Sequence, residues 1–245
     1  MNIGIVIQAR LSSTRLPNKI LLDFYDGKNI LEIIYERIKK NIELPVIIAT
    51  TTNDKDTMLV DFLKGKNIPY YRGSETDVLS RFIGAAEYYK LTHIIRICSD
   101  NPFLYINYIK VLIETLNKYK DSDYVSYKIA GKPSILTHYG FFAELASMNA
   151  LYLANETKEN QYHEHVTNYI YTHEDDFKIK WINAEKIIED KGIRLTVDDE
   201  TDFNIVKSIY KQTGENFDPE SVIKIIDNNP EIKQLMEQQI KKQAK

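Results

Sequence analysis

Residues 3–22 read IGIVIQARLSSTRLPNKILL. A run of apolar and β-branched residues, Ile3 to Ile7, passes without a break into a polar loop. The loop carries Arg10, Arg15 and Lys19, with Ser12, Ser13 and Thr14 among them, and no acidic residue occurs before Asp23. An apolar run of this length is what a strand buried on both faces requires. The loop after it gathers fixed cations, hydroxyls and backbone N–H groups, which together suit a polyphosphate.

Further strands and helices alternate outward from this point. Val46–Thr50, Pro69–Tyr71 and His93–Cys98 read as strands. Ile30, Ile34 and Ile38 recur at helical spacing, and 54–66, 77–89 and 106–119 read as helices. Strand–helix alternation predicts an α/β fold with a mostly parallel sheet and helices on both faces. Ligands of such sheets bind at the carboxyl ends of the strands. The loops after Gln8, Thr50, Tyr71 and Cys98 therefore fall on one edge. The second half changes character. Residues 123–145 read as strands and loops, and 149–173 as mostly helical. Phe177–Asn183 and Arg194–Val197 read as strands that run antiparallel to the others. Three helices, about 200–211, 219–227 and 230–243, close the chain. The last is charged and Gln-rich, so it is expected to fray or to pack on a partner. The expected organisation is one domain over 1–245, with an insertion near 125–180 and a helical extension over about 215–245.

The 245 residues carry a formal charge of −3, with 43% hydrophobic and 27% charged residues. That balance speaks against nucleic acid as a main partner. No run approaches the ~20 apolar residues of a membrane span, and no basic, apolar leader precedes the first strand. The single cysteine, Cys98, is expected to be a buried, inert thiol and fits a reducing cytoplasm.

Two acidic sites complete the pattern. Asp100 follows the strand His93–Cys98 in CSDNPF, on the same edge as the basic loop. Magnesium is usually held by one or two carboxylates plus substrate phosphates, which suits an acid placed there; an Asp opening a turn before Pro102 is the plainer reading. Asp198 and Asp199 end RLTVDD. Asp199 suits the cap of the helix starting near Glu200, with Asp202 in its first turn, which leaves Asp198 as the candidate ligand. In RGSETDVL, residues 72–79, Gly73 permits a turn, Ser74 or Thr76 suits a helix cap, and Arg72 stands at a strand end within reach of a nucleotide. His163 and His165, two apart, do not share a helix face, which speaks against zinc. The turn with Glu164 instead suits a substrate-facing or interface position, or a plain solvated turn.

In this order, IQARLSSTRLPNKIL, RGSETDVLSRF, IRICSDNPF, HEHVTNYIY and RLTVDDETDF resemble the motifs of the cytidylyltransferases of the spore coat polysaccharide SpsF type. These are relatives of the synthetases of CMP-ketodeoxyoctulosonate and CMP-sialic acid. The resemblance spans about residues 1–215. It implies a glycosyltransferase-A-like nucleotide-binding fold, CTP as co-substrate, Mg2+ as cofactor, and a homodimer. It implies that Arg10, Arg15 and Lys19 bind triphosphate, that Gln8, Ala9, Ser13, Arg72, Ser74 and Asp77 lie by the nucleotide, and that Asp100 and Asp198 bind the metal. The HEHVT segment and Tyr139–Glu144 fall where the acceptor and the dimer partner would lie. The acceptor is expected to be a sugar acid or a phosphorylated metabolite; Lys128, Lys132 and His138 suit an acidic one, though plain surface exposure accounts for the two lysines as well. The chain departs from the family at Ser12 and Asn18, where glycine is usual. Asn18 can keep a left-handed turn, whereas Ser12 needs an ordinary dihedral. A glycosyltransferase of similar fold would usually carry Asp-x-Asp after the fourth strand, where SDNPF stands here. A catalytically inactive nucleotide-binding subunit is the other alternative.

Overall fold

The computed structural model describes residues 1–189 and 191–243. The strands are β1 (Ile3–Gln8), β2 (Asp23–Tyr25), β3 (Lys28–Asn29), β4 (Val46–Thr51), β5 (Tyr70–Gly73), β6 (His93–Cys98), β7 (Tyr124–Ile129), β8 (Lys132–Pro133), β9 (Glu144–Ser147) and β10 (Ile179–Asn183). The main helices are α1 (Ile30–Asn41), α2 (Thr57–Gly65), α3 (Val78–Tyr88), α4 (Ile106–Lys118), α5 (Met148–Asn155), α6 (Asn160–Glu164), α7 (Asn168–Thr172), α8 (Glu200–Thr213), α9 (Pro219–Asp227) and α10 (Pro230–Gln243).

The main sheet runs β10-β7-β9-β6-β1-β4-β5, with β8 joined to β7. β1 lies at its centre and pairs in parallel with β4 and β6. β9 is reversed between β6 and β7. β10 lies parallel to β7, so the expected antiparallel direction for 177–183 is corrected. Strand side chains alternate between faces, and each face meets its own helices. Ile5, Ile7, Ile48 and Ile95 belong to the core that includes α1, α4, α8 and α9. Val6, Ile47, Ala49 and Ile94 belong to the core beneath α3 and α5. That two-sided burial is why β1 reads as an unbroken apolar run. Burying each such isoleucine contributes roughly 1.5–3 kcal/mol.

Helix starts follow their capping residues. Asn29 and Glu32 exchange hydrogen bonds in a capping box that opens α1. Asp199 and Asp202 do the same at α8. The cap of α3 is Asp77, which accepts from the Ser80 N–H, while Ser74 accepts from the Asp77 N–H. The expected cap at Ser74 or Thr76 thus moves to Asp77. The 149–173 stretch breaks into α5, α6 and α7. The 54–66 stretch opens with a tight turn at Asp54–Asp56 before α2, because Asp56 is drawn fully into the interior. α10 lies against α8 and α9. Met236 and Gln239 are buried, so this helix is anchored on its own chain. No helix among the described residues is long and apolar enough to cross a membrane.

Candidate functional site: a basic loop facing two acids

The parallel strands deliver their carboxyl ends to one edge. Gln8 lies in register with Ala49 on one side and Cys98 on the other. The Ala9 N–H continues the ladder to the Ala49 carbonyl at 3.1 Å, and its methyl is buried. The loop that follows is pinned at both ends by the buried side chains of Leu11 and Ile20. The Leu11 N–H donates to Asp56 Oδ1 at 2.6 Å, and the Thr51 hydroxyl donates to the other Asp56 oxygen. Asn18 takes the left-handed conformation, φ 57°. Its short amide side chain permits what the family usually assigns to glycine. Ser12 is not among the described residues with positive φ, so its side chain needs no strained backbone.

Lys19 and Arg15 turn inward from this loop. The Lys19 ammonium donates to Asp100 Oδ2 at 3.2 Å, to Asp198 Oδ1 at 3.4 Å and to the Val197 carbonyl at 2.5 Å. Arg15 Nη2 stands 3.0 Å from Asp198 Oδ1. On the far side, the buried Arg194 donates to Asp198 Oδ2 at 2.7 Å and holds Asp202 with two further hydrogen bonds of 2.8 Å. Burial works against charge on Lys19, but Asp100 and Asp198 outweigh it and raise its pKa. Burial would raise the Asp198 pKa, but Lys19, Arg15 and Arg194 hold it below the usual carboxylate range. Asp100 and Asp198, 98 positions apart, thus converge on one ammonium.

The segment carrying Asp198 corrects one expectation. Residues 194–197 form no strand and join no sheet. Instead the Leu195 N–H donates to the His138 carbonyl at 2.8 Å, and the Val197 N–H donates to the Asp100 carbonyl at 3.0 Å. These two bonds bridge separate loops, and the second sets the two acids side by side.

Two cavities share this cluster. The smaller, about 280 Å3, is lined by Gln8, Arg10, Ser13, Arg15 and Lys19 together with both acids. The larger, about 720 Å3, shares Arg15, Asp100 and Asp198 and extends past Arg96, His138, Glu144 and Thr167. Arg96 and Glu144 form a buried ion pair across β6 and β9. Glu144 also accepts from the Tyr124 hydroxyl and, at 2.8 Å, from the Thr167 hydroxyl. Cys98 lines both cavities, and burial pushes its thiol up to about 11, so it stays protonated at neutral pH.

Other expected site residues stand elsewhere. Arg72 donates to the Thr51 and Asn53 carbonyls, tying β5 to the loop after β4. Neither Arg72, Ser74 nor Asp77 lines the smaller cavity. Asp77 meets His163 Nδ1 at 3.0 Å, and His163 Nε2 meets the Thr157 carbonyl at 2.8 Å. His165 lines the larger cavity, apart from His163. Lys128 pairs with Glu174 and lies over the Trp181 ring, away from both cavities. Lys132 is exposed in the short β8 strand and lines neither.

Several residues were not legible as site residues. Arg194 lies four and eight positions before Asp198 and Asp202, and that spacing was its only signal. Arg96 and Glu144 pair only once β9 folds back on β6. Glu75, in the 72–79 loop, accepts from Asn53 at 2.6 Å. That bond, the Ser12 hydroxyl and Arg10 lower its pKa.

A mostly parallel sheet with cations and acids converging at the carboxyl ends of its strands is the arrangement of nucleotide-binding α/β proteins. The chain belongs to the cytidylyltransferase family, whose model matches residues 4–244. It is 38% identical over 233 residues to an uncharacterised protein of Methanocaldococcus jannaschii, covering 94% of this chain and 92% of that one. It is 29% identical to the spore coat polysaccharide biosynthesis protein SpsF of Bacillus subtilis, covering 92% of this chain and 94% of that one. Among solved structures, a cytidylyltransferase from Leptospira borgpetersenii superposes with a TM-score of 0.84 at 27% identity, covering 96% of this chain and 97% of that one. The family and this structure agree on a nucleotidyltransferase, and its fold is glycosyltransferase-A-like.

Proposed function

We propose that this cytidylyltransferase joins CMP from CTP to an anionic small-molecule acceptor, releasing pyrophosphate, and that the product is a precursor of a surface polysaccharide. The convergence of Lys19 on Asp100 and Asp198 carries the reading. It sets a basic loop suited to phosphate against two acids suited to a divalent ion. Family membership supports CTP as the nucleotide, and the likeness to SpsF supports the polysaccharide pathway.

The donor set fits Mg2+. Two hard carboxylate oxygens meet at one cation position, and among the described residues no third His, Cys, Asp or Glu joins them. A magnesium ion bound there would draw its remaining ligands from substrate phosphate and water. When bound, the ion neutralises phosphate charge and lowers the pKa of a bound hydroxyl. Arg10, Arg15 and Lys19 line the smaller cavity and are the donors for the β- and γ-phosphates. Preorganised donors stabilise the charge that builds on departing pyrophosphate. Lys19 must leave Asp100 and Asp198 to reach phosphate, so nucleotide and metal together replace protein–protein ion pairs. Arg194 holds Asp198 deprotonated and aimed inward. The larger cavity, joined to the first through Asp100, Asp198 and Arg15, receives the acceptor beside the α-phosphate. The active form is proposed to be a homodimer in the cytoplasm, organised as one catalytic domain.

Pyrophosphate release, measured with CTP and Mg2+ against a panel of sugar acids and phosphorylated sugars, tests the reading. Release that needs CTP, metal and one class of acceptor is expected. Turnover of a nucleotide-sugar donor in place of CTP would instead assign a glycosyltransferase.

A further inference from the structure

The larger cavity has one wall residue whose chemistry is decided by its neighbour. His138 is half-buried in the loop before β9, where it meets the segment 194–197. Its carbonyl accepts from the Leu195 N–H at 2.8 Å, which fixes the backbone. Its ring Nδ1 lies 2.7 Å from Arg194 Nη1. A guanidinium has donors only, so Nδ1 must accept and carries no proton. The neutral ring then bears its proton on Nε2. No protein acceptor lies within hydrogen-bonding distance of Nε2 among the described residues.

The charges around the ring agree with this form. Arg194, Asp198, Asp202 and Lys132 act on it. Burial and the Arg194 charge outweigh the two acids and move its pKa below the ordinary histidine value. A ring in this state cannot take a proton at Nε2 from an attacking hydroxyl, because that nitrogen already carries one. It can only donate. Arg194 simultaneously holds Asp198, so a single buried guanidinium sets both a wall of the larger cavity and one acid of the nucleotide side.

We infer that His138 is a neutral hydrogen-bond donor, locked as the Nε2–H tautomer by Arg194, that reads an oxygen of the acceptor in the larger cavity. The inference rests on the cytidylyl-transfer reading for the identity of the bound molecule, but the tautomer does not. It requires the acceptor to turn an oxygen lone pair, of a carboxylate, carbonyl or hydroxyl, to that wall. Arg194 is the positioning residue; it does not itself meet the acceptor.

The test has two arms on the full chain. Nitrogen-15 NMR of histidine-labelled protein, with the His138 signals assigned by their loss in His138→Gln, reads the tautomer directly. A bare Nδ1 and a protonated Nε2 at pH 7 are expected; an Nδ1–H tautomer or an imidazolium overturns the inference. In the second arm, pyrophosphate release is followed for two variants. Glutamine can place an N–H where Nε2 stands, whereas asparagine keeps an acceptor for Arg194 but its shorter amide puts no N–H at the Nε2 position. His138→Asn is expected to raise the acceptor KM about tenfold with the CTP KM unchanged, and His138→Gln to stay within about threefold of wild type. Equal losses in both variants, or a matching change in the CTP KM, overturn the inference. If the wild type releases no pyrophosphate with any acceptor, the assigned reaction fails and so does His138's role toward an acceptor, while the tautomer stands or falls on the NMR arm.

Discussion

The two cavities that meet at Asp100 and Asp198 are built on opposite plans. The smaller is charge-dense, and its charges face one another. Lys19 and Arg15 are bonded to the acids that a metal would need. In the larger, Arg96 and Glu144 are paired, and Glu144 also accepts from Tyr124 and Thr167, so its oxygens are already met. On the proposed reading the first site rearranges when its ligand arrives, because Lys19 and Arg15 exchange carboxylate for phosphate. The second is already internally paired, and on the proposed reading it selects by the few donors left on its walls. A polyphosphate carries enough charge to drive such an exchange, whereas a small acceptor needs a fixed frame.

Breaking the frame is expected to have the largest effect. Removing one partner of a buried ion pair leaves an uncompensated charge and typically costs 3–5 kcal/mol. Arg194→Met strands Asp202, which is 2% exposed, and disturbs both cavities at once. Chemical denaturation should show a loss of stability in that range, and activity should fall with it. A loss under about 1 kcal/mol would mean that the two plans are not tied through Arg194.

On the charge-dense side, Asp100→Asn and Asp198→Asn keep size but remove the negative oxygens. Each should reduce pyrophosphate release by about 10²-fold or more, with the fold intact by circular dichroism, as loss of a preorganised charge contact does. Undiminished release from either variant would remove that residue from the metal site.

Lys19→Met sharpens the comparison further. The side chain keeps its reach and loses its charge, so Asp100 loses its cation while Asp198 keeps Arg15 and Arg194. Mn2+ binding without nucleotide, followed by the paramagnetic signal of the free ion, should tighten about tenfold, while CTP binding weakens. Unchanged or weaker Mn2+ binding would contradict the exchange of Lys19 for metal.

The smallest effect concerns the link between α6 and the cap of α3. Both ring nitrogens of His163 face acceptors, the Thr157 carbonyl and Asp77. The Thr157 bond and then Asp77 raise its pKa, against burial. A pKa raised on folding stabilises the protein below the unfolded value of 6.5, and that contribution is lost as pH climbs through the higher folded value. The stability gap between wild type and His163→Asn should therefore narrow above pH 6.5. It should stay below about 1 kcal/mol, since the pair is partly solvated. A gap that widens with pH would contradict the assignment.

The charge-dense side was largely readable from the chain, because its parts are local. One contiguous loop supplies Arg10, Arg15 and Lys19, and each acid follows an apolar run. The capping role of Asp199 and the left-handed Asn18 were likewise written in neighbouring residues. The other side was not, because its contacts join residues far apart. Arg96 meets Glu144 only through the reversed β9, and His138 meets Arg194 only because 194–197 leaves the sheet to bridge two loops. Arg72 and Asp77 misled for the opposite reason. Their place at a strand end was legible, but not the competing backbone carbonyls and His163 that engage them. Alternation of strand and helix conveyed the parallel sheet, yet it could not reveal the direction of β10, which depends on where β9 inserts.

The most direct test of a metal-coupled nucleotide site is calorimetric titration of CTP, UTP and ATP into the wild type and the Asp100→Asn variant, with and without Mg2+. The wild type is expected to prefer CTP and to need Mg2+ for that binding, and Asp100→Asn is expected to lose the metal dependence. CTP binding that is equally tight without Mg2+, or a metal dependence that survives in Asp100→Asn, would contradict that coupling.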